Sequence, residues 1–172
     1  MGYLSSLEAV ARTGMPPTDI KKSLIDDVSY EIIYDMQQMC DVFNKKFVSS
    51  GIIKEQNNEI IFNPTFGLVS MFVGGADADV YLNGTLLDFK CTKDKGYKWV
   101  DFAQLVAYYL LSIISVRCGD IGINNDETAV YRLAFYRGRF GEIEYINVKL
   151  LGEDKIEQAI SELQKLWGLK FI

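Results

Sequence analysis

Apolar residues recur at helical spacing through residues 25–48, where Val28, Ile32, Ile33, Met36, Met39, Cys40, Phe43 and Phe47 mark one face of an amphipathic helix. Ser23 and Asp26 precede it as candidate caps. Its polar side carries Glu31, Asp35 and Gln38. Upstream, residues 4–11 predict a short amphipathic helix inside an N-terminal arm, 1–22, interrupted by Gly14 and Pro16-Pro17. Downstream, residues 59–62 predict a strand after the Asn57-Asn58 turn, and 68–73 a second strand after Asn63-Pro64 and Gly67. That second run enters Gly74-Gly75, a pair that predicts a bulge or a close backbone approach.

The strongest local signal lies in residues 74–93. Asn83-Gly84 is the dipeptide preferred in two-residue type I′ turns, because both central positions need positive φ. A turn there pairs Leu82 with Thr85, Tyr81 with Leu86, Val80 with Leu87, Asp79 with Asp88 and Asp77 with Lys90. Side chains alternate along a strand, so Asp77, Asp79, Asp88 and Lys90 share one face. Val80, Leu82, Leu87 and Phe89 occupy the other, which reads as core. Two unit charges about 5 Å apart repel by roughly 3 kcal/mol at an effective dielectric near 20, so the carboxylates need compensation. Lys90 neutralises one of them; a divalent cation such as Mg²⁺ would neutralise two and accept oxygen ligands. The plain alternative is a solvated hairpin edge with a fortuitous acidic patch.

After a polar loop at 92–98, a second helix is expected from Asp101 to about Val116, opened by Asp101 and Gln104 as an Asp-type capping box. Most of its positions are apolar, which predicts burial on most sides. Gln104, Tyr108, Ser112 and Ser115 form one polar stripe, and buried polar groups want partners; a hydrated cleft beside the hairpin would supply them. Gly119, Gly122 and Asn124-Asn125 mark a loop. Residues 128–136 and 142–150 predict strands around the turn at Arg137-Gly138-Arg139 and Gly141. Ile156, Ile160, Leu163 and Leu166 define a closing helix, with acidic Glu153-Asp154 at its start and Gly168 at its end. Helices interleaved with strands in this order predict an α/β chain, an α+β sandwich, folded as one domain over 1–172.

Composition narrows the chemistry. The 172-residue chain contains no histidine, which removes imidazole bases, imidazole ligands and His-dependent triads. Acid–base work falls to carboxylates, lysine, tyrosine or water held by a metal. Cys40, Cys91 and Cys118 are odd in number and widely spaced, so neither a disulfide framework nor a zinc knuckle is expected, and a reducing, cytoplasmic setting follows. No uninterrupted apolar run reaches the roughly 18 residues of a membrane span, so a soluble protein is expected, with no membrane partner. The net charge of −5 counts against unspecific nucleic-acid binding. Even so, Lys93, Lys95 and Lys98 follow the acidic cluster, and Arg132, Arg137 and Arg139 recur later. They offer a local basic strip; ordinary surface cations are the alternative.

Asp79, followed across a hairpin by Asp88-Phe89-Lys90 with Thr92 and then Gln104-x-x-x-Tyr108, resembles the PD-(D/E)XK nuclease superfamily, in its RecB-like branch. The resemblance implies a restriction-endonuclease-like core, a central mixed β-sheet flanked by helices. It implies Mg²⁺ or Mn²⁺ at Asp79 and Asp88, with the Phe89 backbone carbonyl as a further ligand and Asp77 in the outer shell. A first-helix acid often completes the family's metal site, and Glu31 is the candidate, with Asp35 behind it. Lys90 would orient or deprotonate the attacking water, or neutralise charge developing on the phosphate. Gln104 and Tyr108 would help position the site. Lys93, Lys95, Lys98, Arg137 and Arg139 become candidate substrate contacts. The expected activity is hydrolysis of phosphodiester bonds in nucleic acid, with DNA the expected substrate and a homodimer or partner protein supplying selection. The rival reading is a catalytically inactive module of the same fold that binds nucleic acid or a partner protein.

Overall fold

In the computed structural model, which describes residues 29–168 apart from Glu55, Tyr97 and Ile121, Asn83 and Gly84 adopt φ of 48° and 79°. The tight turn therefore forms as the dipeptide predicts. The expected arm at 1–22 and the caps Ser23 and Asp26 lie outside the described residues. The described elements run α1 (Tyr30–Val42), β1 (Ile60–Phe62), β2 (Val80–Leu82), β3 (Thr85–Lys90), α2 (Trp99–Arg117), β4 (Arg132–Arg137), β5 (Glu142–Asn147) and α3 (Glu153–Trp167).

The described strands form one mixed sheet in the order β1-β2-β3-β4-β5. The hairpin register is the expected one, Val80 with Leu87, Tyr81 with Leu86 and Leu82 with Thr85. The ladder stops there. Asp79 lies one residue before β2, and Asp77 makes an isolated bridge with Thr65 instead of pairing with Lys90. β3 and β4 are parallel, with Asp88 beside Phe135 and Lys90 beside Arg137. Parallel neighbours require a crossover, and α2 is that crossover. By length and apolar content α2 is also long enough to cross a membrane, a property that counting uninterrupted apolar runs misses. Here it lies against the sheet, with Leu105, Tyr109, Leu111 and Ile114 buried.

Both faces of the hairpin are core. Leu82, Leu87, Ala134 and Tyr136 pack with Phe47 on one side, where Phe43, Phe47, Phe89 and Tyr136 form an edge-to-face aromatic cluster. Tyr81, Leu86, Leu133 and Phe135 pack with α2 and α3 on the other. The face that Asp79, Asp88 and Lys90 share is thus also apolar through Tyr81 and Leu86 and turns polar at Asp88 and Lys90.

Three local expectations are corrected. Residues Gly67–Val73 form a 3-10 helix, not a strand; Val69 is buried while Leu68, Met71, Phe72 and Val73 are exposed, and Gly74 closes the turn at φ 76°. Helix α2 begins at Trp99 with Lys98 as its cap and no side-chain capping bond, so Asp101 and Gln104 are released for other partners. The first helix is shorter than expected, ending at Val42 before a π-helical turn at Phe43–Phe47. Ile32 and Ile33 are exposed, and packing falls to Phe43 and Phe47. The chain divides within α1 into a unit ending at Gln38 and a larger one beginning at Met39 that holds the sheet.

The hairpin turn is tied down by its own asparagine. Asn83 Oδ1 accepts the Glu59 N–H at 2.9 Å, and Nδ2 donates to Ile52 O at 3.0 Å and Asn58 Oδ1 at 2.9 Å. Glycine at this position tolerates the backbone angle but makes none of these bonds. Asn83→Gly is expected to lower stability by about 1–3 kcal/mol, read as an earlier midpoint in urea unfolding; an unchanged midpoint would show that the turn angle alone matters.

Candidate active site

Alternation along β3 places Asp88 two residues beyond buried Leu86, under α2, where the residue is only 7% exposed. Lys90 emerges on the same face two residues later and folds back. Its Nζ lies 2.8 Å from Asp88 Oδ2 and 3.6 Å from Asp101 Oδ1, and it donates to Gln104 Oε1 at 3.2 Å. Gln104 Nε2 in turn donates to the Tyr108 hydroxyl at 2.8 Å. Lys90 is the charged partner of Asp88 Oδ2, an oxygen otherwise buried from solvent. Asp79 approaches from the other strand, its Oδ2 accepting the Phe89 N–H at 2.6 Å.

These groups perturb one another. Burial raises the Asp88 pKa, with the Asp79 and Asp101 charges adding to the rise and Lys90 opposing it. Burial alone would lower the Lys90 pKa, but its contacts with Asp88 and Asp101 outweigh that, and it lies above the ordinary value. The Tyr108 hydroxyl is pushed up by burial and by the charges of Asp88, Asp77 and Asp79. Lys90 is therefore a held positive charge in this arrangement, and Tyr108 a proton-bearing hydroxyl.

The fold thus gathers Asp79, Asp88, Lys90, Gln104 and Tyr108, with Asp77 near enough for its charge to reach Tyr108. The lower half of the α2 stripe goes elsewhere. Ser112 Oγ accepts from Asn124 Nδ2 at 3.2 Å and Ser115 Oγ donates to Asp120 Oδ2 at 3.2 Å, both serving the loop after the helix. Glu31 stands exposed on the first turn of α1, in the N-terminal unit. Its carboxyl is held below the usual range by its own backbone amide and by Ser29, as suits a helix start.

Among the basic candidates, Lys93, Lys95 and Lys98 lie on the exposed loop before α2, Lys95 over the Phe140 ring at 4.7 Å and Lys98 paired with Asp94 at 3.2 Å. Arg137 is 7% exposed and grips Glu144 through Nε at 3.2 Å and Nη2 at 3.1 Å. Arg139 Nε donates to Cys91 O at 2.8 Å, bracing the end of β3. Asp101, taken from sequence as a cap, is instead a second acid on Lys90. Sequence reasoning also missed Phe135, whose ring centroid lies 6.0 Å from Lys90 Nζ. Only the parallel register of β3 and β4 brings it there.

Asp79 and Asp88 are the carboxylates this cluster could offer a hard divalent cation. No group of three or more Asp, Glu, Cys or His side chains among the described residues forms a metal cage. Mg²⁺, however, is commonly bound by one or two carboxylates and completed by water and phosphate oxygens. Asp88 and Asp79, whose charges act on one another, are the pair that could serve such an ion, with Asp88 Oδ2 facing Lys90 Nζ at 2.8 Å.

The raised Asp88 pKa fixes a stability sign. The folded state favours the protonated carboxyl, so this stabilising contribution is present at low pH and is lost as pH rises through the folded pKa, above the ordinary value near about 4. Asp88→Asn removes that loss while Asp101 remains to pair with Lys90. At pH 7 the variant is expected to melt above wild type, with the difference closing near pH 4; differential scanning calorimetry at both pH values reads it, and a less stable variant at pH 7 reverses the sign.

No protein-family model matches the chain, and neither the curated proteins nor the solved structures contain a significant match to it.

Proposed function

We propose that the protein is a metal-dependent nuclease of the RecB-like PD-(D/E)XK type, with a restriction-endonuclease-like core, hydrolysing phosphodiester bonds in DNA in a cytoplasmic setting. The observation that carries the reading is the meeting of its two sequence motifs. The lysine of Asp88-Phe89-Lys90 donates to Gln104 at 3.2 Å, and Gln104 donates to Tyr108 at 2.8 Å, although the motifs lie on different elements.

Under this reading Asp79 and Asp88 hold Mg²⁺ or Mn²⁺, with the Phe89 carbonyl as a further oxygen. When bound, the ion supplies positive charge against the phosphate and acidifies water. Asp79 is kept in place by the Phe89 amide, which fixes the carboxylate by a strand rather than by a mobile loop. Lys90 remains protonated and offers its charge to the phosphate as negative charge builds in the transition state. Gln104 and Asp101 hold Lys90 at the mouth of the site; Tyr108 anchors Gln104. Lys98, which lines a recess with Lys90, is a candidate backbone contact, and Arg139, braced on Cys91 O, is a second. Substrate selection by a second copy or a partner protein goes with the same reading.

The test is cleavage of single-stranded DNA, double-stranded DNA and RNA with and without Mg²⁺ or Mn²⁺. Wild type is expected to cut DNA only with the ion. Asp88→Ala and Lys90→Ala are each expected to lower the rate by at least about a hundredfold while circular dichroism shows the fold retained. Intact substrates with wild-type protein would replace this reading with that of an inactive module of the same fold.

A further inference from the structure

The sheet ends at β5, whose outer edge is open among the described residues. The Val148 N–H donates to Tyr131 O at 3.0 Å, in step with the register that pairs Leu133 with Ile146 and Phe135 with Glu144. Backbone groups alternate in direction along an antiparallel strand, so those of Ile143, Tyr145 and Asn147 point away from β4. An edge of this kind is a template for another extended chain.

Beside that edge, a pocket of about 410 Å³ is lined by Trp99, Phe102 and Leu105 from α2 and by Glu144, Tyr145 and Ile146 from β5. Trp99 and Tyr145 are exposed and Leu105 is buried, so one end opens to solvent and the other rests on core. Ile146 packs on the α2 side of the sheet, and alternation puts Glu142 and Glu144 on that same side. Glu144 is held by Arg137 at 3.1 Å, whereas Glu142 is exposed and, among the described residues, in no ion pair. The groove thus offers main-chain hydrogen bonds, an apolar hole and an uncompensated negative charge side by side.

We infer that the groove between α2 and β5 binds an extended segment of a partner protein. The segment adds to β5 as a further strand, sets one apolar side chain in the pocket and presents Lys or Arg, two residues away, to Glu142. That spacing follows from the strand, since side chains on one face recur every second residue, as Glu142 and Glu144 do. Main-chain pairing supplies affinity, and the two side chains supply choice. A second copy is a poorer occupant: edge-to-edge pairing would bring Glu142 and Glu144 of both copies to one seam, and facing like charges destabilise a sheet. The inference is independent of any cleavage at Asp88.

The test screens the full chain against a displayed library of randomised heptapeptides, with the Trp99→Ala protein as counter-selection. Enriched sequences are expected to share an apolar residue with Lys or Arg two positions from it. A labelled synthetic copy of the most enriched peptide is then titrated by fluorescence anisotropy, with circular dichroism confirming that each variant folds. Trp99→Ala and Glu142→Lys, both at exposed positions, are each expected to weaken binding by about tenfold. Replacing the peptide's basic residue with Glu is expected to restore binding to the Glu142→Lys protein. N-methylation of the peptide backbone is expected to abolish binding at every second residue only, the mark of strand pairing. No enrichment over the Trp99→Ala protein, equal affinity for the Glu142→Lys protein, or binding indifferent to N-methylation overturns the inference. So does a dimer, seen by light scattering, that Trp99→Ala dissolves, which gives the groove to a second copy.

Discussion

The larger unit turns on one constraint, a carboxylate buried at the end of an interior strand. Asp88 sits beneath a crossover helix, where an ionised group is costly unless paired. Lys90 provides the pairing from the same strand, because a two-residue step returns the side chain to the same face. A lysine that folds back over its own strand then needs something to hold it. Asp101 and Gln104 do so from the first turns of α2, and Tyr108 fixes Gln104 one turn further on. The ion pair therefore specifies how the helix lies on the sheet as well as neutralising a charge.

That arrangement follows from topology. β3 and β4 run parallel, so the connection between them has to cross the sheet face, and it does so directly above the end of β3. An antiparallel return would leave Asp88 and Lys90 on an open edge. The opposite face of the same strand is occupied by Leu87 and Phe89, locked into the aromatic cluster with Phe47 and Tyr136. With one face wedged by aromatics and the other capped by a helix, β3 has little freedom to slip, and its carboxylate and lysine are fixed to match.

How much of this could be read beforehand depended on the range of the interaction involved. Asn83-Gly84 has a conformational demand that two residues satisfy, so the hairpin and its register were legible. The Gln104-Tyr108 stripe was legible because i,i+4 spacing is local to a helix. Residues Gly67–Val73 misled: an apolar run with no polar interruption fits either a strand or a short helix, and tertiary packing of Val69 and the turn at Gly74 decided for the helix. Asp101 misled for a related reason. Its sequence position allowed a cap, but Lys90, distant in sequence, competed for the carboxylate and won. Phe135 was invisible because its relevance depends on a strand pairing that no local pattern states.

The same burial that strains the site is what the proposed chemistry would draw on. A solvated carboxylate would be more comfortable ionised, and would hold a cation weakly in competition with water. Burial raises the cost of leaving Asp88 ionised with only Lys90 as counterion, and so increases the gain when further positive charge arrives. On the proposed nuclease reading, Lys90, shared between Asp88 and Asp101, would face an incoming phosphate without leaving Asp101 wholly uncompensated, since Asp101 is partly solvated. On that reading, the ground-state frustration at one end of β3 would become affinity for a cation and a phosphate together. A helix placed there only to cover the sheet would bring apolar side chains over Asp88; instead α2 brings an acid, an amide and a phenol in successive turns.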